Sequence, residues 1–301
     1  MACLRDVASE WLAAGRLAVL VEVTGSRGSV PREAGTRMLV SARHAAGTVG
    51  GGHLELKAIE QARSLLASGS IEPQSVLSVL SVHYPLGPAL GQCCGGAVTL
   101  GFSMLDPEAL QAWPEAAPRF HLQLYGAGHV GRAIVRALAP LNCVIDWIDE
   151  REDEFPPTFD ASGGAWPGHI RKVCVDAVEA EVALAPPGAF YLVLTHQHDL
   201  DQRISEAILQ RGDFGFFGLI GSKTKKRRFV HRFEQRGFED SLIERMTCPI
   251  GIDGIEGKEP EVIAVAVAAQ LLRASEPGRL AGAEPGPDAG RRRAVPAQAW
   301  E

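Results

Sequence analysis

The sequence predicts an α/β protein built as two domains, and three observations carry that expectation. An apolar run, Leu122-Gln123-Leu124-Tyr125, meets Gly126-Ala127-Gly128-His129-Val130-Gly131, after which Arg132 to Leu138 reads at helical spacing. The next apolar segment, Val144 to Ile148, ends at Asp149. Apolar strand-like segments then alternate with helical ones, the pattern of a mostly parallel sheet. Finally, Asp106 to Arg119 carries three prolines with Glu108 and Glu115, the composition of an interdomain linker.

Strand, glycine turn, helix, strand and acid, in that order, make a dinucleotide-binding unit, so the second domain is expected to be Rossmann-like. Gly126 allows the tight turn, Gly128 the close approach of a pyrophosphate, and Gly131 the contact between helix and strand. Amides at the helix start suit a phosphate, and Asp149 stands where a ribose hydroxyl is usually bound. The fold expected is therefore a small N-terminal α/β domain over residues 1–105 and a linker over 106–119. A Rossmann-like parallel-sheet domain follows over 120–274. Residues 275–301, rich in Gly, Pro and Ala and holding Arg291-Arg292-Arg293, are expected to form a disordered tail.

The totals narrow the function. A chain of 301 residues has room for two domains with real cores, and 46% hydrophobic with 22% charged residues is a globular profile. A formal net charge of -6 argues against general nucleic-acid binding. No apolar run approaches the ~20 residues of a membrane span. The start lacks the charged-then-apolar order of a secretion signal, so a cytoplasmic location is expected. The six cysteines are Cys3, Cys93, Cys94, Cys143, Cys174 and Cys248. They form no Cys-x-x-Cys pair, and reduced cytosolic thiols fit best.

In chain order, residues 4–14 put Leu4, Val7, Ala8, Trp11 and Leu12 on one helical face. Leu17 to Val23 reads as a buried strand that runs into a loop holding Arg27 and Arg32. Arg37 to Val40 is a further strand, and Gly50-Gly51-Gly52-His53 opens a helix to about Ala67. Val76 to Val82 and Ala97 to Phe102 read as strands on either side of Gln92-Cys93-Cys94-Gly95-Gly96. After Asp149, residues 150–170 read as a long surface loop. Ala189 to Thr195 is a strand followed by His196-Gln197-His198 and a helix through Leu209. Phe214 to Ile220 is a strand ending at Gly221-Ser222, where a basic helix opens with Lys223. Val262 to Leu272 is an apolar helix with Pro260 near its first turn.

Chemistry concentrates in a few of these segments. A thiol in the glycine-rich turn at Gln92, Cys93 and Cys94 is expected to have little cover, and neighbouring backbone amides can lower the pKa of such a thiol. Such a thiol can ligate a soft metal, carry a sulfur atom or act as a nucleophile. Free cysteines are more often small buried hydrophobes. Two in a row cannot both face inward from a strand, which favours a functional role here. Arg27 and Arg32 with Gly51, Gly52 and His53 could cradle a phosphate-bearing ligand, against the plainer reading of tight turns. His196 and His198 are expected on one side of their loop, where a metal or, in preference, a hydrogen-bonding site at the sheet's carboxyl edge would use them. Ser222 and Lys223 suit a phosphate, against the plainer reading of a solvated helix face.

Gly28-Ser29-Val30-Pro31-Arg32, Gly50 to Glu55, Gly91 to Gly96, Gly126 to Gly131, Thr195 to His198, Gly221-Ser222-Lys223 and Pro249-Ile250-Gly251 stand in the order of one family. The chain resembles the XdhC/CoxI family of xanthine dehydrogenase accessory proteins over residues 5–273, leaving out the tail. The resemblance implies a non-catalytic chaperone that binds molybdenum cofactor (molybdopterin). Such a protein presents the cofactor for exchange of an oxo for a sulfido ligand and inserts it into xanthine dehydrogenase. A cysteine desulfurase supplies the sulfur, and a homodimer is expected. Carried over residue by residue, Gln92, Cys93 and Cys94 lie on the family's cysteine motif, with Cys93 assigned to contact molybdenum. Gly126, Gly128 and Gly131 match its nucleotide-type turn. One departure is Glu259, where a capping Thr or Ser is expected before proline. The alternative is an NAD(P)-dependent oxidoreductase resting on the glycine turn and Asp149, with His196 or His198 moving a proton. A metal-dependent hydrolase ranks third.

Overall fold

The computed structural model describes residues 4–69, 79–86, 96–114, 117–160 and 162–276. Contacts divide the chain into two compact units, Met1–Ala116 and Ala117–Glu301. The Gln92-Cys93-Cys94 motif and most of the expected tail lie outside the described residues.

In the first unit β1 (Ala18–Arg27), β2 (Arg37–Ser41), β3 (Ala45–Gly47), β4 (Leu80–Pro85) and β5 (Ala97–Met104) form one sheet in the order β3-β2-β1-β5-β4. Every pairing in it is antiparallel. The parallel pattern expected of the alternating segments therefore stops short of this unit. Its first three strands follow one another through short loops, and a parallel pair needs a crossover of a dozen or more residues. Alternation along β1 sorts its side chains. Val19, Val21 and Val23 pack with Leu54, Ala58 and Ala62 of α2 (Gly52–Ser68), whereas Leu20 packs with Ala8 and Trp11 of α1 (Leu4–Ala13). Of the strand expected over 76–82, residues 76–78 lie outside the described residues, and the described strand covers Leu80–Pro85.

The stretch read as a linker opens as a helix, α3 (Pro107–Ala112). Asp106 Oδ1 accepts the Ala109 amide at 2.7 Å and Pro107 takes the first turn, so the N-terminus is capped. Ala109, Leu110 and Trp113 then pack on the α1 side of the sheet, and the Arg37 guanidinium lies 5.0 Å from the Trp113 ring centroid.

In the second unit β6 (His121–Tyr125), β7 (Val144–Asp149), β8 (Ile170–Cys174), β9 (Phe190–Val193), β10 (Phe216–Leu219) and β11 (Met246–Thr247) pair only in parallel. Their order is β11-β10-β9-β6-β7-β8. Read from β8, that is third, second, first, fourth, fifth, sixth: the Rossmann arrangement, with the order reversing between β6 and β9. Leu122, Leu124, Trp147 and Leu192 meet α4 (His129–Leu138) and α8 (Pro260–Ser275) on one face. On the other, Tyr125, Tyr191, Val193 and Phe217 meet α5 (His198–Arg211), α6 (Lys223–Gln235) and α7 (Asp240–Glu244).

The loop over 150–170 is more than a surface excursion. Phe155 and Trp166 both contact the Trp147 ring, at centroid distances of 5.2 Å and 5.3 Å, so its aromatic residues extend the core. At α8, Glu259 makes no side-chain cap, as its departure from Thr or Ser implies, and its Oε2 accepts the Lys258 amide at 3.0 Å. Gln270 of the same helix holds the Pro249-Ile250-Gly251 segment, exchanging hydrogen bonds with the Gly251 amide and carbonyl at 2.8 Å and 3.0 Å.

Two glycines of the turn after β6 are required by backbone contact. A Cβ on Gly131 would stand 2.0 Å from the Gly126 carbonyl oxygen, and one on Gly126, at φ +124°, 2.4 Å from that of Leu194. Around Gly128, at φ -69°, nothing lies within 4 Å of the added atom. Gly131→Ala is therefore expected to cost about 3 kcal/mol in urea unfolding, and Gly128→Ala under about 1 kcal/mol.

Candidate functional site

In the first unit the structure brings the arginine-bearing loop, the glycine loop at Gly50 and the residue before β5, Gly96, together. A Cβ on Gly96 would fall 2.4 Å from the Ser29 carbonyl oxygen and 2.6 Å from that of Arg27, so the start of β5 lies directly on the arginine-bearing loop. The Leu86 amide donates to the Gly96 carbonyl at 2.8 Å, joining the two ends that flank the cysteine segment. Pro31 of the arginine loop touches Gly50, where a Cβ would meet its Cγ at 2.6 Å. Gly50, Gly51 and Gly52 carry φ values of +132°, +72° and +61°. Three left-handed residues in a row leave the backbone open there, and nothing lies within 4 Å of a Cβ on Gly51.

That glycine loop is held from below. Glu55 Oε2 accepts the Gly51 amide at 3.1 Å and takes the Thr48 hydroxyl, and Thr48 Oγ1 accepts the Gly50 amide at 3.1 Å. Arg27, Arg32 and His53 are exposed at the rim. Among the described residues neither arginine has an ion-pair partner, which leaves two guanidinium forks for an anionic ligand. Thr48 and Glu55 stand in the glycine-loop stretch, but their bracing role escaped the sequence reading; a Glu four residues after a glycine N-cap was the available signal.

In the second unit the glycine turn and Asp149 meet as expected, but the acid is engaged. The buried Asp149 carboxylate accepts the Ala127 amide at 2.7 Å and the Arg151 amide at 3.0 Å. It also takes both ends of the Arg151 guanidinium, at 2.9 Å each. Burial pushes its pKa up, but the Arg151 side chain and the two amides outweigh that and hold it below the usual carboxylate range. The turn's carbonyls are engaged too: Trp147 Nε1 donates to Gly126 at 3.1 Å and Arg132 Nε to Ala127 at 2.9 Å.

His196 and His198 part company. His196 borders the crevice between the ends of β6 and β9, where its Nε2 lies 3.7 Å from Glu150 Oε1. His198 opens α5 and lines a separate cavity of about 480 Å³ at the carboxyl ends of β9 and β10. The expectation that both face one side assumed strand alternation, which the helix start breaks. Among the described residues no group of three His, Cys, Asp or Glu side chains could hold a metal ion. Ser222 also lines that cavity and caps α6, its Oγ accepting the Lys225 amide at 3.2 Å, while Lys223 is exposed beside it.

A cross-link that sequence alone did not suggest braces this edge. The fully buried Asp201 accepts the Thr195 amide at 2.9 Å, its hydroxyl at 2.7 Å and Lys225 Nζ at 2.5 Å. Lys225 donates again to the Ile220 carbonyl at 2.8 Å, so the ends of β9 and β10 share one buried ion pair.

The two units match known families separately. Residues 122–271 match the XdhC Rossmann domain and residues 11–78 match the XdhC and CoxI family. The chain belongs to the XdhC/CoxI family. Neither matched span includes the Gln92-Cys93-Cys94 segment. The chain is 29% identical over 267 residues to the uncharacterized protein YqeB of Escherichia coli (strain K12), spanning 87% of its own length but 44% of that protein. A crystal structure from Bacillus halodurans, named a xanthine dehydrogenase, aligns with a TM-score of 0.70 over 90% of this chain and 95% of that one. At 18% identity that likeness shows a shared fold.

The Asp149 contacts predict a pH signature. A carboxylate with a folded pKa below its unfolded value stabilises above that unfolded value, and the contribution is lost as pH falls through the folded one. Asp149→Asn is expected to cost about 2 kcal/mol at neutral pH. In urea unfolding the gap from wild type should close as pH drops below about 4.

Proposed function

We propose that this chain is a molybdenum-cofactor chaperone for xanthine dehydrogenase. It holds molybdopterin cofactor as cargo, presents it for sulfuration with sulfur from a cysteine desulfurase, and releases it to the apoenzyme. In this reading it works in the cytoplasm as a homodimer and turns nothing over itself. Membership of the XdhC/CoxI family supports the accessory role.

The observation that carries the finer reading is the meeting of loops in the first unit. Gly96, the residue after Gln92-Cys93-Cys94-Gly95, sits on the backbone of Arg27 and Ser29, and Pro31 of the same loop sits on Gly50. Gly96, which follows the thiol-bearing segment in the chain, thus lies on the loop that carries Arg27 and Arg32, and that loop meets an open run of glycine backbone. Molybdenum is thiophilic, and the phosphate of the cargo needs cationic or amide donors. Cys93 would touch the metal of the cargo, Arg27 and Arg32 would hold its phosphate, and the Gly51 backbone gives room for close approach.

Protein co-expressed with a molybdopterin-producing pathway tests the proposal through molybdenum and pterin content per chain. Wild type is expected to carry near-stoichiometric cofactor, Cys93→Ala to lose most of it, and Arg27→Ala with Arg32→Ala to weaken retention about tenfold or more. Cofactor retained by Cys93→Ala moves the contact to Cys94. Cofactor absent from every form overturns the chaperone reading.

A further inference from the structure

The strand order of the second unit implies a dinucleotide at the carboxyl edge of its sheet, its ribose held by the acid that ends the second strand. That acid is Asp149, whose carboxylate offers about four acceptor sites. Four donors of the chain already reach it: the Ala127 amide at 2.7 Å, the Arg151 amide at 3.0 Å, and Arg151 Nε and Nη2 at 2.9 Å each. The contacts continue beyond it. Arg151 Nη1 donates to Glu154 Oε1 at 3.2 Å, and Glu154 Oε2 pairs with Arg132 Nη2. Arg132 Nε donates to the Ala127 carbonyl at 2.9 Å and the Glu154 carbonyl at 3.0 Å.

These bonds close on themselves, from the Ala127 amide through Asp149, Arg151, Glu154 and Arg132 back to the Ala127 carbonyl. We propose that this ring is a lock: it seats the Arg151 guanidinium on the acid a ribose diol would use and thereby excludes NAD(H) from the Rossmann unit. The inference concerns the second unit alone and does not rest on the chaperone reading.

The chemistry favours the guanidinium over a sugar. A bidentate, doubly charged contact is stronger than one from neutral hydroxyls. The Asp149 side chain is only 3% exposed, so water offers little compensation while one partner is exchanged for another. Glu154 holds the remaining nitrogen of Arg151 and Arg132 holds Glu154, contacts that favour the guanidinium's seat on Asp149.

Titration of the full chain with NADH, followed by its fluorescence and by calorimetry, tests the lock. Wild type is expected to show no saturable binding below about millimolar NADH. Arg151→Ala leaves Asp149 its two amide donors and frees two acceptor sites. Folded protein, checked by circular dichroism, should then bind NADH at least about tenfold more tightly than wild type. The gain should vanish for an NADH analogue lacking the adenosine 2′- and 3′-hydroxyls, since those are the groups that the acid of a Rossmann unit binds. Glu154→Gln, which loosens the ring from its far side, should give a smaller gain and serves if Arg151→Ala does not fold. Micromolar binding by wild type overturns the proposal, as does the absence of any gain in a folded variant.

Discussion

The Ala127 peptide is the joint on which the second unit is assembled. Its N–H is held by Asp149 at the end of β7, and its carbonyl by Arg132 on α4. The Gly126 carbonyl, in the same peptide group as that N–H, is held by the Trp147 indole. Strand, turn, helix and neighbouring strand are thereby fixed to one another within a few ångströms. The turn can be this tight only because Gly126 and Gly131 present no Cβ to the backbone that crosses them. Buried amides and carbonyls must be paired, and here the pairing comes from side chains that a ligand would otherwise meet. The same bonds that make the Rossmann turn rigid also spend its polar groups.

The first unit solves the opposite problem. Its antiparallel sheet is closed on both faces by helices, but the loops at one corner keep cations and open glycine backbone at the surface. Glu55 and Thr48 brace the glycine loop from within, so it is shaped without its outward face being consumed. A scaffold held from beneath and open above suits a ligand that must be gripped and later released. The second unit's carboxyl edge is instead knitted together by the Asp201–Lys225 pair and by the Asp149 ring.

Much of the fold was legible in the residues. The apolar run, the glycine spacing and Asp149 placed β6, α4 and β7, because that pattern has few other uses and depends only on near neighbours. The helix at Pro107 was hidden by prolines that read as a linker, although Asp106 followed by proline is equally a helix start. The antiparallel character of the first sheet was not legible, since strand direction depends on which segments pair and not on their composition. In the site, the arginine and glycine loops were visible as motifs, but their contact through Gly96, Ser29, Pro31 and Gly50 required the fold.

What the sequence by itself determined is the set of local commitments: periodicity, glycine turns, the order of motifs and, through them, membership of the XdhC/CoxI family. What only the tertiary structure decided is how polar groups far apart in the chain share their bonds. Asp149 reads as a ribose acceptor until Arg151 and Ala127 are seen upon it, and His196 and His198 read as a pair until α5 turns one of them away. The physical reason is that a side chain's chemistry is set by what remains unpaired after folding. That remainder is a property of the packed structure and not of any residue in the list.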